Sequence, residues 1–434
     1  MKHRPLRATA ETTDDRGSTQ ESSSPSEAAG TARTEGPGQA RRTVVPVIVA
    51  IAFALLPLST DLYLATLPGL RLDFGIGVPH AQLTLSAFVV GFAISQLAYG
   101  PLSDRFGRRP VLLAGLLLYV AATFACLAAA SIPMLVAARF AQAVGACSGA
   151  VIGRAIVRDV YGAAGAARML GYITAGMAVG PILGPVLGGW IAPRYGWQGA
   201  FVVLAGIGTA LLVAVALRLP ESNAHRDPLA TRLAPLVGHY GDLVRDPRYL
   251  GYALTVAFTY AGIFSFVSGS SFVLIEVLGV APEHFGLLFG GAVTGYVATN
   301  LVVARQALRV GVDPLLAAGT ALCALGGTTM AVLALAGVHS VAAVVAPMLV
   351  FFLGAGFNMP SGMAGALAPY PKRAGVASAL LGFLQMGIGA GAGFLVGRCH
   401  DGTPEPMALS ISAAGWLAAL AFVFLARGRA GRAR

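Results

Sequence analysis

The chain has 434 residues, of which 56% are hydrophobic and only 11% charged, with a formal net charge of +11. A soluble domain carries about 25% charged residues, so this composition excludes an ordinary soluble protein and points to helices that cross a bilayer. A basic excess would suggest nucleic acid as partner in a soluble chain, but here the charges are placed as membrane topology requires, and no nucleic-acid role is expected.

Residues 1–43 are rich in Ser, Thr, Gly, Glu and Arg without an apolar period, and read as a disordered cytoplasmic tail. No apolar h-region stands at the start, so no signal peptide is expected, and the run that begins at Val44 is read as a first span that stays in place. About 20 apolar residues cross a bilayer as a helix. Runs of that kind recur at 44–68, 81–103, 110–130, 132–153, 169–193, 197–217, 249–275, 285–304, 314–336, 340–364, 374–397 and 407–426, which predicts twelve spans. The longest polar stretch between spans, 218–248, is read as a cytoplasmic linker between two six-helix bundles, 44–217 and 249–427, with a basic tail at 428–434. The fold class expected is therefore an all-α membrane protein of two pseudo-equivalent bundles, as in many secondary transporters.

With twelve spans, the 30 Lys and Arg residues sort unevenly. Only Arg71, Arg194 and Arg398 fall on one side, Arg139 lies inside a span, and all the others fall on the opposite side. The positive-inside rule then places both termini in the cytoplasm, with a cell (inner) membrane as the expected location. Cys126, Cys147, Cys323 and Cys399 share no metal or disulfide spacing, and no histidine reads as a ligand, so no metal or cofactor is expected.

Two formal charges lie well inside the spans, Asp61 and Arg139. A charge at the bilayer centre costs roughly 2.5–3.5 kcal/mol on insertion scales, and such residues usually face a cavity or a proton path. Both stand about seven residues from the outer ends of their spans, or roughly 10 Å deep at 1.5 Å per residue. Equal depth permits an ion pair that locks two helices. The favoured reading is that Asp61 loads and releases a proton, with Arg139 tuning it or touching substrate.

The turn after the second span reads GPLSDRFGRRP, Gly100 to Pro110. Its Gly100, Leu102, Asp104, Arg105, Gly107, Arg108 and Arg109 resemble the signature loop of the major facilitator superfamily, which implies a latch between the bundles on the cytoplasmic side. Gly107 supplies turn freedom, and Asp104, at a helix C-terminus, needs compensation by nearby arginines or by another helix N-terminus. In span five, GMAVGPILGPVLGG places glycines at 176, 180, 184 and 188, a stripe that lets helices approach closely. The segment containing Gly180, Gly184, Pro185, Gly188 and Gly189 resembles the motif of exporters in that family, which implies antiport. Span four carries Arg139 and Gln142, similar to the family's R-x-x-Q-G motif, with Ala143 in place of the usual Gly.

STDLYLATLP in span one, IVRDVY from Ile156 to Tyr161 and LVRDPRYLGYAL from Leu243 to Leu254 resemble the Bcr/CflA branch of bicyclomycin and chloramphenicol exporters. On that resemblance Arg158 and Asp159 join the cytoplasmic gate, and the branch's usual Pro is replaced by Ala65. Tyr63, Gln142, Asn300, Asn358 and Gln385 are the candidates to line a substrate cavity, with hydrogen bonding between helices the favoured role for the last three.

These features imply a proton-coupled drug exporter working by alternating access, with Asp61 exchanging a proton for a small, largely apolar substrate. A monomer needing only the proton gradient and the lipid bilayer is the expected state. An uptake symporter for a small nutrient on the same fold is the alternative, disfavoured by the glycine-proline stripe and the shortage of buried charge. No span pairs a His with Cys, Ser or two carboxylates at helical spacing, so an enzyme is not expected.

Overall fold

The computed structural model describes residues 37–177, 180–224, 226–231 and 233–427. Most of the expected N-terminal tail and of the C-terminal basic tail lies outside these. Residues 37–43, expected in the tail, form the first turns of a helix.

The described residues are almost wholly helical, without a strand. The N-terminal half holds α1 (Pro37–Leu64), a short α2 (Leu67–Phe74), α3 (Val78–Phe106), α4 (Arg108–Leu127), α5 (Ile132–Met177), α6 (Gly180–Tyr195) and α7 (Gln198–Arg218). The linker carries α8 (Leu233–Arg245), which lies against α9 and α13 of the second half. That half holds α9 (Pro247–Ser271), α10 (Pro282–Val310), α11 (Val312–Leu335), α12 (Val341–Leu367), α13 (Ala374–Arg398) and α14 (Glu405–Ala421). Eleven helices among the described residues are long and apolar enough to span a bilayer. The expected fifth span differs for a simple reason. Its residues are divided between the end of α5, beyond a kink at Gly162, and the 16-residue α6, on either side of the undescribed pair 178–179.

The two halves repeat one local device that their sequences barely share. A single glycine with positive φ breaks α3 from α4 at Gly107 (φ 102°) and α10 from α11 at Gly311 (φ 86°). An L side chain avoids that region, and glycine enters it without steric penalty. Each break lets a long helix turn into the next with no loop between them. We call the side carrying these breaks the basic side.

The halves meet along two seams, α6 against α10 and α3 against α13. Side chains too are shared unevenly. One apolar core runs through both halves, from Leu62 and Leu85 to Phe266, Phe272 and Phe289. Towards the basic side the second half has a separate core of its own, with Tyr249, Tyr252, Val256, Leu380 and Phe422. Among the described residues, every hydrogen bond and ion pair that joins the two halves lies on the side opposite the basic one. There Arg71 Nε and Nη2 donate to the two carboxylate oxygens of Glu276 at 3.1 and 3.0 Å, and Gln82 Nε2 donates to the Ser268 carbonyl at 2.8 Å. The molecule is thus clasped on that side and unclasped on the basic side.

Candidate functional site

Asp61 is buried on α1, one turn beyond Pro57, whose missing N–H interrupts the helix's hydrogen bonding. Its Oδ1 accepts from the Thr60 hydroxyl at 3.0 Å. Across from it, Tyr260 of α9 in the other half is near enough to interact with its charge. The span-five stripe forms its third wall. A Cβ added at Gly184 would stand 2.8 Å from Asp61 Cβ, one at Gly180 would stand 3.5 Å from Pro57, and one at Gly188 would strike the Leu62 carbonyl. The opposite face of α6 meets the second half. Gly189 abuts the Pro282 carbonyl, and a Cβ at Gly286 would come within 2.6 Å of the Pro185 backbone. The glycines and Pro185 therefore wedge α6 between the acid-bearing helix and α10, where a larger residue would force both apart.

Arg139 is completely buried on α5 and forms no ion pair with Asp61. Its Nη1 donates to Gln142 Oε1 at 2.6 Å and its Nη2 to the Ser59 carbonyl at 3.0 Å. The rings of Phe88, Tyr63 and Phe201 surround the guanidinium, with centroids 4.3, 4.8 and 5.6 Å from its carbon. The ring faces replace an anion in part, each contributing about 0.5–2 kcal/mol. The ion pair that equal depth permits is therefore not made in this arrangement. Ser59 and Asp61 are two residues apart, about 200° around the helix at 3.6 residues per turn, so the face that meets Arg139 is turned away from the face that carries the acid.

The cage also accounts for two of the expected cavity residues. Tyr63 is one of its walls and holds Thr84 through its hydroxyl at 2.9 Å, while Gln142 accepts from Arg139 and donates to Thr123 at 2.9 Å. Asn358 is fully buried too, donating to Thr259 at 3.0 Å between α12 and α9. All three are buried and hydrogen-bonded to neighbouring helices, with the Asn358 Oδ1 left without a partner among the described residues. Asn300 and Gln385 are half-buried. Asn300 bonds back to the Tyr296 carbonyl, and Gln385 has no hydrogen-bond partner in the structure.

The α3–α4 turn is a dense charge cluster. Arg108 is nearly buried and donates to Asp104 at 2.5 Å, to Ser103 at 2.7 Å and to Asp159 at the end of the fourth span at 3.0 Å. Arg105 stacks on Phe106 and donates to Thr231 of the linker, and Arg109 donates to the Ala216 carbonyl. Arg158 is exposed, and a side chain at Gly100 would meet nothing within 4 Å.

Sequence reasoning missed Glu221. It sits just past the sixth span and accepts from the backbone N–H groups of Arg108 (2.9 Å) and Arg109 (3.2 Å), capping the open N-terminus of α4. Burial pushes its carboxyl up, but the backbone donors of Asn223, Arg108, Arg109 and Ser222 outweigh that and hold it below the usual range. Its signal was an acid in a stretch otherwise read for its bases. Among the described residues no three His, Cys, Asp or Glu side chains gather as a metal would need.

The family model of the Major Facilitator Superfamily matches residues 49–394. The chain belongs to this superfamily. It is 33% identical over 396 residues to an uncharacterized MFS-type transporter, YdgK, of Bacillus subtilis, covering 90% of this chain and 97% of that one. It is 28% identical to the bicyclomycin resistance protein homolog of Haemophilus influenzae (87% and 94% covered) and to multidrug resistance protein D of Escherichia coli (80% and 86%). Among solved structures it resembles a D-xylose-proton symporter, with a TM-score of 0.71 at 16% identity over 89% of this chain and 98% of that one. At that identity the likeness concerns the fold alone. The protein is a multi-pass membrane transporter of this superfamily, whose members transport rather than catalyse.

Proposed function

We propose that this transporter exports small, largely apolar drug-like molecules in exchange for protons, by alternating access, with Asp61 as the proton carrier. The observation that carries the reading is the setting of Asp61. It is a buried acid with one neutral hydrogen-bond donor and no cationic partner among the described residues, where α1 packs on the wedge helix α6. Burying a carboxylate without a counter-charge is expensive, so its charge depends on the water that reaches it. Rocking of the halves changes that access on each side in turn. A drug entering between the halves and a proton on Asp61 would then compete for one conformational change. The relatives named for bicyclomycin and multidrug resistance support the drug class. The positive-inside rule supports a cytoplasmic basic side, and this clasped arrangement is then the inward-facing one.

The test is transport of chloramphenicol or bicyclomycin into inverted vesicles, wild type beside Asp61→Asn, with and without an imposed proton gradient. Gradient-driven uptake that the variant loses, at equal protein levels, is the expected result. Uptake by the variant at the wild-type rate would remove Asp61 from coupling. Accumulation of a nutrient in the opposite direction would replace export by symport.

A further inference from the structure

The fourth span carries a second guanidinium that the transport reading leaves unused. Arg154 lies on the same stripe of α5 as Cys147, Ala150 and Arg158, spaced three and four residues apart. It stands eight residues inside the Gly162 kink, is half-buried, and rests over the ring of Phe53 on α1 with its carbon 6.0 Å from the centroid. It makes no hydrogen bond or ion pair among the described residues. Arg158, one turn nearer the surface, is exposed and suffices for a topology-setting charge.

The acids of the basic side among the described residues do not explain Arg154 either. Asp104 and Asp159 hold Arg108, Glu221 holds backbone donors, Asp227 accepts from the Leu229 N–H, Asp242 holds Arg373, Asp246 accepts from Tyr370, and Asp313 accepts from Tyr252 at 2.5 Å. Its place near the Gly162 end of the fourth span puts it towards the side on which the halves are unclasped. On α1 the half-buried residues Ala50, Ala54 and Pro57 form a stripe that leads from beside Phe53 to Asp61. Phe53 and Asp61 are eight residues apart, roughly 12 Å along a helix. That is about the length of a small drug.

We propose that Arg154, backed by Phe53, is the docking point for a carboxylate on the substrate, whose apolar body lies along α1 towards Asp61. This rests on the exporter reading and gives it a preference for amphipathic acids among its substrates. A guanidinium in a sheltered site binds a carboxylate through short, charge-assisted hydrogen bonds, which are stronger than neutral ones. The aromatic ring behind it orients the planar group and keeps it from folding back on its own helix.

The test compares chloramphenicol with its hemisuccinate, which keeps the body of the drug and carries, in place of one hydroxyl, a succinyl ester ending in a carboxylate. Binding of each to the purified full chain at pH 7 is measured by calorimetry for wild type, Arg154→Gln, Arg154→Lys and Arg158→Gln. Wild type is expected to prefer the acid by about tenfold, the difference one charge-assisted bond makes. Arg154→Gln loses the preference while its affinity for neutral chloramphenicol is unchanged, which also shows that it is folded. Arg154→Lys retains part of the preference, and Arg158→Gln retains all of it. No preference for the acid in wild type, or a preference that survives Arg154→Gln, overturns the site. Proton-driven export of neutral chloramphenicol without any acid preference would overturn this inference and leave the exporter reading standing. An Arg154-dependent acid preference without proton-driven export would do the reverse.

Discussion

Glu276→Gln removes the ion pair that joins the two halves on the clasped side. In the wild type both Arg71 donors meet Glu276, at 3.0 and 3.1 Å, with side chains 29% and 25% exposed. Partly exposed pairs contribute about 0.2–1 kcal/mol, and a two-bond guanidinium–carboxylate geometry belongs at the upper end. Under the proposed alternating access the pair exists only while this side is closed, and its loss would then act on the equilibrium between conformations and little on folding. About 1 kcal/mol shifts that equilibrium about fivefold. Spin labels at Tyr195, at the end of α6, and at Val338, between α11 and α12, are both exposed, lie on this side and belong to different halves. Pulsed spin-resonance distances between them are expected to gain a longer population of about that size in Glu276→Gln. High salt should produce part of the same shift in the wild type by screening. The exchange Arg71→Glu with Glu276→Arg should restore the short distance. An unchanged distance distribution in Glu276→Gln would show that apolar contacts alone close this side, and would refute the reasoning.

Glu221→Ala uncaps α4 and is expected to destabilise the protein by about 1 kcal/mol, read as a lower thermal midpoint. Because the folded-state carboxyl is held below its ordinary range, that contribution is present above the ordinary glutamate pKa and is lost as pH falls through the depressed folded value. The gap between wild type and variant should therefore close on acidification, and a gap that widens would contradict the cap. Gly188→Ala drives a methyl into the Leu62 carbonyl and is expected to cost about 1–3 kcal/mol, lowering thermal stability and drug export together. Gly180→Ala, with 3.5 Å to its nearest neighbour, should leave both near wild type, and equal damage from the two would show that the stripe is not a measured contact.

Much of the site's content was legible before any contact was known. Asp61 and Arg139 stood out because a charge is costly in an apolar run wherever that run packs. The α3–α4 turn stood out because its glycine and its charges are consecutive in the chain. Glu221 was passed over because its role is created by Arg108 and Arg109, residues more than a hundred positions away. Tyr63, Gln142 and Asn358 were read as cavity candidates for being polar in apolar spans. Polarity says that a partner is needed and does not say whether a substrate or a neighbouring helix supplies it.

The sequence by itself determined the membrane class, most of the spans in their order, the crowded basic turns and the presence of two charges within apolar runs, since each follows from the local cost of placing a side chain in hydrocarbon. The tertiary structure decided which way those charges face. Asp61 and Arg139 share a depth, yet the helical turn between Ser59 and Asp61 sends one face of α1 to an aromatic cage and the other to α6 and Tyr260. The clasp of Arg71 on Glu276, the wedge of α6 on α10 and the unpaired Arg154 over Phe53 are likewise decisions of packing. Hydropathy is a property of each segment alone, whereas a face acquires its meaning only from the helix set against it.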